Sequence, residues 1–77
     1  MNLKLKYKHI EFMEMGGHGK TKIFACGNHQ TDAYLGIVKW NCGWRQYCFY
    51  PEPVLVFSKS CLDDIGHFIE QLMDERK

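Results

Sequence analysis

No window of the sequence approaches the roughly 20 consecutive apolar residues that a membrane-spanning helix requires. The amino terminus alternates charged and apolar side chains through Leu3, Lys4, Leu5, Lys6, Tyr7 and Lys8, and it lacks the unbroken apolar stretch of a secretory leader. Charge of one sign is also missing. Ten Lys+Arg stand against nine Asp+Glu, for a formal net charge of +1. That balance excludes strong whole-molecule attraction to nucleic acid or anionic membrane, although a local patch is still allowed. Proline is scarce, with two residues, Pro51 and Pro53, and there is no repeat, low-complexity tract or linker. The 77 residues make room for one small domain, 1–77, with a core one layer thick, because a chain this short hides only roughly 60% of its unfolded surface. A deep cleft between two domains is thereby excluded. At 45% hydrophobic residues, wholesale disorder is excluded too. The expectation is a soluble, cytoplasmic domain in which Cys26, Cys42, Cys48 and Cys61 remain reduced thiols.

Periodicity supplies the elements. Leu3, Leu5 and Tyr7 alternate with Lys4, Lys6 and Lys8, the period of a half-buried strand. The apolar phase then slips at His9 onto Ile10 and Phe12, which predicts a bulge or bend. Gly16-Gly17-His18-Gly19 reads as a turn, Lys20 to Cys26 as a second strand, and 27–32 as a polar loop. Ala33 to Trp40 and Arg45 to Tyr50 form a hairpin about the turn 41–44, pairing Trp40 with Arg45, Val38 with Tyr47 and Gly36 with Phe49. Pro51-Glu52-Pro53 ends that strand, and the apolar run Val54-Leu55-Val56-Phe57 predicts a short, covered central strand. Ser60 is placed as the cap of a helix beginning at Cys61. Its apolar stripe runs through Leu62, Ile65, Phe68 or Ile69, and Leu72, and Gly66 is read as a point of close approach to the sheet. The fold class is therefore α+β: an antiparallel sheet of four to five strands with one C-terminal helix packed on one face, βββββα.

Chemistry-bearing motifs are few. Gly-Gly-His-Gly-Lys-Thr at 16–21 resembles a phosphate loop only in part. Glu14 stands where that motif needs its first glycine, and the segment after it reads as strand rather than helix. Cys26-x2-His29 and Cys42-x5-Cys48 offer a set of soft ligands for a zinc-stabilised module, with the second spacing longer than usual. His9, His18, His29 and His67 stand in no catalytic constellation, so no enzyme and no cofactor are expected. The densest feature is Trp40-x3-Trp44-Arg45-x-Tyr47-x-Phe49. Alternation puts Val38, Trp40, Arg45, Tyr47 and Phe49 on one sheet face, and Leu35, Ile37, Cys48 and Tyr50 on the other. Val38 and Phe49 are assigned to the core beneath the helix. Trp44 and Arg45, at the turn, are the expected exposed contacts.

The stretch Leu35-Gly36-Ile37-Val38-Lys39-Trp40, then Trp44-Arg45-Gln46-Tyr47-Cys48-Phe49-Tyr50-Pro51, resembles a group of short, uncharacterised bacterial and phage-type proteins. Their pattern reads Leu-Gly-x-Ile/Val-x-Trp-x3-Trp-Arg-x-Tyr-x-Phe-x-Pro, and Cys61-Leu62-Asp63-Asp64-Ile65 extends the match. The resemblance covers about residues 35–70 and implies a stand-alone small protein in a bacterial or phage setting, with no activity attached.

The leading expectation is a small non-enzymatic binding module that contacts a host protein through Trp40, Trp44, Arg45 and Tyr47, since aromatics and arginine dominate protein-binding hot spots. The alternative is nucleic acid or a nucleotide held on an aromatic, basic sheet face, with Lys4, Lys6, Lys8 and Lys39 on phosphates. A third reading places zinc on Cys26, His29, Cys42 and Cys48. No membrane partner is expected, and an open sheet edge leaves a homodimer open.

Overall fold

The structure, a computed structural model, describes residues 3–18 and 21–76, with only the backbone of His18. Met1, Asn2 and Lys77 lie outside the described residues, as do Gly19 and Lys20, on which part of the expected first turn and second strand falls. Four strands, β1 (Ile10–His18), β2 (Thr21–Asn28), β3 (Tyr34–Asn41) and β4 (Gln46–Pro51), are followed by one helix, α1 (Lys59–Glu75). The strands form a single antiparallel sheet in the order β1-β2-β3-β4, each hairpinned to the next.

One face of the sheet carries the core. Ile10 and Phe12 from β1, Phe24 and Cys26 from β2, Val38 from β3 and Tyr47 from β4 are buried beneath Ile65, Phe68 and Leu72 of α1. The Phe68 ring stacks on Phe12 at 3.9 Å between centroids and meets Phe24 edge-on at 5.0 Å. As expected, Val38 is fully buried and Phe49 packs against this cluster.

Several details differ from the sequence expectations, each for a local reason. The alternating segment 3–8 is not the first strand. It folds back along β1, with the Tyr7 amide donating to the Ile10 carbonyl and the Phe12 amide to the Leu5 carbonyl, both at 2.8 Å. The phase slip at His9 is thus a reversal of the chain. Gly16 and Gly17, expected in a turn, lie inside β1, where a bulge between Glu14 and Gly16 uses their positive φ angles of 118° and 140°.

The β3–β4 register is displaced from the expected one. Trp40 faces Tyr47, Val38 faces Phe49 and Gly36 faces Pro51, because Arg45 is left-handed (φ 57°) and belongs to the turn. Val38, Trp40, Tyr47 and Phe49 keep the expected face and Ile37, Cys48 and Tyr50 the other, whereas Arg45 leaves the sheet for the turn and Leu35, expected opposite the core, packs against it beside a bulge in the β2–β3 pairing. Phe49 still covers Gly36: a Cβ built there would lie 2.9 Å from Phe49 Cζ.

The expected fifth strand, Val54–Phe57, is absent, so the sheet has four strands. The Glu52 amide donates to the Leu35 carbonyl and turns the chain off the sheet, and Val54 then takes φ 68°. Val54 and Val56 are 98% and 95% exposed, and only Phe57 turns inward, edge-on to Phe49 at 5.5 Å. The β4 edge offers no slot for them. Met73 Sδ accepts the Tyr47 amide, and Pro51 has no N–H to give.

The helix also starts earlier than expected. Ser58, not Ser60, is the cap, its hydroxyl accepting the Cys61 amide at 3.3 Å. Leu62 is exposed, while Cys61 and Ile69 pack inward. A Cβ on Gly66 would meet nothing within 4 Å, so that glycine serves no close approach to the sheet.

Candidate interaction surface at the β3–β4 turn

The turn between β3 and β4 is held by Asn41. Its carbonyl accepts the Arg45 amide at 2.7 Å, and its side-chain Oδ1 accepts the Trp44 amide at 2.9 Å. Its Nδ2 donates to the Tyr50 hydroxyl at 2.9 Å, tying the turn back to β4. A short polar residue that satisfies turn amides with its own side chain is what this geometry needs. On this fixed support Trp44 is 71% exposed and Arg45 is exposed beside it.

The other two aromatic residues of the expected contact set are engaged elsewhere. Trp40 is half-buried, with the Arg76 guanidinium 3.9 Å above its ring and Tyr47 edge-on at 5.4 Å. Tyr47 is 5% exposed, and its hydroxyl accepts the Lys22 amide at 3.3 Å. Its place is in the core, because it shares the face of Val38 and Phe49 that α1 covers. The arrangement therefore brings together Trp44 and Arg45 and withdraws Trp40 and Tyr47.

The aromatic and basic residues of the alternative reading are separated. Trp40, Tyr47 and Phe49 point towards α1, whereas Lys39, paired with Cys48, lies on the opposite face with its ammonium 4.8 Å from the Tyr50 ring centre. Lys4, Lys6 and Lys8 sit on the folded-back segment before β1, and the Lys4 ammonium rests over Tyr7 at 4.7 Å.

The zinc set is likewise dispersed. Cys26 is buried on the core face, Cys48 lies on the other face, and Cys42 is exposed in the turn. His29 Nε2 faces the carbonyl oxygens of Tyr7 and Lys8 at 2.9 and 2.8 Å. Both partners only accept, so that nitrogen carries the proton and bonds backbone. Among the described residues no three His, Cys, Asp or Glu side chains gather as metal ligands. Burial pushes the Cys26 thiol up to about 12, with a smaller push from Cys61, which keeps it protonated.

A polar cluster that sequence reasoning missed fastens the amino-terminal segment to the helix. Gln71 bonds the Lys4 backbone through both ends of its amide, accepting the Lys4 N–H at 2.8 Å and donating to the Lys4 carbonyl at 3.1 Å. It also donates to the Tyr7 hydroxyl, which lies 2.8 Å from His67 Nδ1. Burial raises the Tyr7 pKa, opposed by the Gln71 hydrogen bond, with a lesser upward push from Asp64. The spacing of His67 and Gln71, one helical turn apart, was the available signal. Its partners lie 60 or more residues away along the chain.

The fold and the exposed turn define a small α+β domain that presents one aromatic–guanidinium corner on a rigid hairpin. Among the described residues no helix is long and apolar enough to cross a membrane. No family model and no solved structure matches the chain. A protein of Acholeplasma phage L2, described as an uncharacterized 9.3 kDa protein, is 32% identical over 71 residues, covering 91% of each chain. The protein belongs to the family of small phage proteins that includes this relative.

Proposed function

We propose that the protein is a non-enzymatic binding module that engages a host protein through the Trp44–Arg45 turn in the bacterial cytoplasm. The observation that carries this reading is the 71% exposure of Trp44 on a turn already fixed by Asn41. A bulky indole held in water on a rigid support loses little conformational entropy on docking, and Trp and Arg are the residue types enriched at binding hot spots. The relative from Acholeplasma phage L2 supports a phage setting, in which a bacterial host protein is the partner at hand.

The test pairs Trp44→Ala with Arg45→Asn, since asparagine tolerates the left-handed backbone that Arg45 adopts. The double variant keeps its circular dichroism spectrum and melting temperature, and loses the protein that the wild-type chain retains from a lysate of the bacterial host. Retention of the same protein at unchanged affinity by the double variant overturns the site.

A further inference from the structure

The face of the sheet turned away from α1 is apolar, and among the described residues no helix or further strand covers it. Met13 is 65% exposed there, and Ile23, Ala25, Ile37 and Tyr50 are half-buried. Two charged residues of the strands lie among them, Glu11 and Lys39, both half-buried, and Asp32 of the β2–β3 turn borders the face beside Glu11 and Met13. Among the described residues neither Glu11 nor Lys39 forms an ion pair, and the Lys39 ammonium rests on the Tyr50 ring.

The register relates these two charges. Met13 faces Ala25, and Ala25 faces Ile37. Glu11 lies two residues before Met13 and Lys39 two residues after Ile37, and β1 and β3 run in the same direction. Glu11 and Lys39 therefore sit diagonally on either side of Ala25. Two strand spacings and four residues of rise separate them by about 16 Å, too far to pair within one chain. A two-fold axis lying in the contact plane, through Ala25 and perpendicular to the Glu11–Lys39 line, exchanges them. It sets the Lys39 of each copy against the Glu11 of the other, with the small Ala25 side chain where the sheets come closest.

We propose that this face is the interface of a homodimer, two sheets packed face to face with α1 of each copy outside and two reciprocal Lys39–Glu11 pairs across it. An isologous contact of this kind needs self-complementarity, and the face supplies one charge of each sign at symmetric positions in an apolar field. The patch is about 20 Å on a side, so two copies hide on the order of 1,000 Å². That size belongs to a dissociable pair and makes association concentration-dependent.

Sedimentation equilibrium of the full chain from micromolar to millimolar concentration tests the proposal. The wild-type chain passes from monomer to dimer. Glu11→Lys and Lys39→Glu each weaken the dimer by about tenfold or more, through like charges brought together. The double variant Glu11→Lys, Lys39→Glu recovers wild-type association. A wild-type chain that is monomeric throughout overturns the interface, whether or not a foreign protein binds that face. Single variants that associate like the wild type, or a double variant no better than either single one, overturn the charge pairing and with it this geometry. Both side chains point away from the core, and melting temperatures of the variants confirm that the fold is retained.

Discussion

The two faces of the sheet are built from the same strands and obey different rules. On the helix side, Phe12, Phe24, Val38 and Tyr47 interlock with Ile65, Phe68 and Leu72, and the rings adopt stacked and edge-on contacts. On the other side, among the described residues, Met13, Ala25, Ile37 and Tyr50 meet no second layer. One 17-residue helix covers one face of a four-stranded sheet and no more. The packing that stabilises the fold is therefore concentrated on one side, and the other side, with the hairpin turn at its end, stays exposed.

The sharpest way to break this comparison is to cut one side chain from each face. Phe68→Ala removes a fully buried ring that touches two others, and a loss of about 3–5 kcal/mol is expected. In so small a domain that loss unfolds most molecules. Ile37→Ala on the open face is expected to cost about 1 kcal/mol or less, because the side chain is only half-buried. Urea unfolding at concentrations where the chain is monomeric checks both, and equal losses would erase the distinction.

The two faces were largely legible in the sequence, and the reasons are local. Alternation through Ile37, Val38, Lys39 and Trp40 and again through Tyr47, Cys48 and Phe49 separates the faces whatever the register, so the two-residue displacement caused by left-handed Arg45 left these assignments in place, while Arg45 itself joined the turn and Leu35 turned to the core where a bulge interrupts the β2–β3 pairing. That same parity grouped Tyr47 with Val38, which points to its burial, yet proximity to Trp44 along the chain drew it into the candidate site. Alternation could not tell a strand from the folded-back segment at 3–8, because the pattern predicts which side chains face inward only if the segment is extended and paired, and here Leu5 is exposed with its lysine neighbours while Tyr7 alone is buried. The run Val54–Phe57 carried a strand composition, but composition is silent on whether an edge is free. Met73 and Pro51 close the β4 edge, and Met73 lies far off in sequence.

Glycines sharpen the comparison at the next scale. Gly36 lies on the crowded side with φ 154°, and a Cβ there would sit 2.4 Å from the Tyr50 carbonyl oxygen. Gly36→Ala is expected to cost about 2 kcal/mol or more, from backbone conformation and overlap with main-chain atoms that cannot step aside. Gly66, in the helix, has open space around its Cβ position, and Gly66→Ala is expected to gain about 1 kcal/mol from helix propensity alone. Denaturant midpoints of the two variants should therefore move in opposite directions.

Thiols report the same asymmetry chemically. Cys26 on the covered face has its thiol pushed up to about 12 by burial, against an ordinary value of 9.0, while Cys42 is exposed. Below the ordinary value both folded and unfolded chains keep the proton, and the fold holds its full stability. As pH rises from about 9 towards 12 the unfolded chain ionises and the folded one does not, so stability declines. Tyr7, also raised by burial, adds to the decline in the same direction. Melting temperature is expected to fall across that alkaline range. A disulfide reagent at pH 8 should label Cys42 promptly and Cys26 only as the chain unfolds.

The smallest effect concerns a residue that belongs to neither face. Val54 is 98% exposed and holds φ 68°, a conformation in which a β-branched side chain crowds its own backbone. Nothing in the packing compensates, because the side chain stands in water. Asparagine accepts the left-handed region far better, so Val54→Asn is expected to stabilise the fold by about 0.5 kcal/mol and to remove one of the exposed branched residues between Pro53 and Phe57. A rise in the denaturant midpoint with unchanged slope checks the prediction. A fall would show that Val54 is held in its strained geometry by a contact that outweighs the strain, and the loop would then be a structural part of the fold, not a connection between β4 and α1.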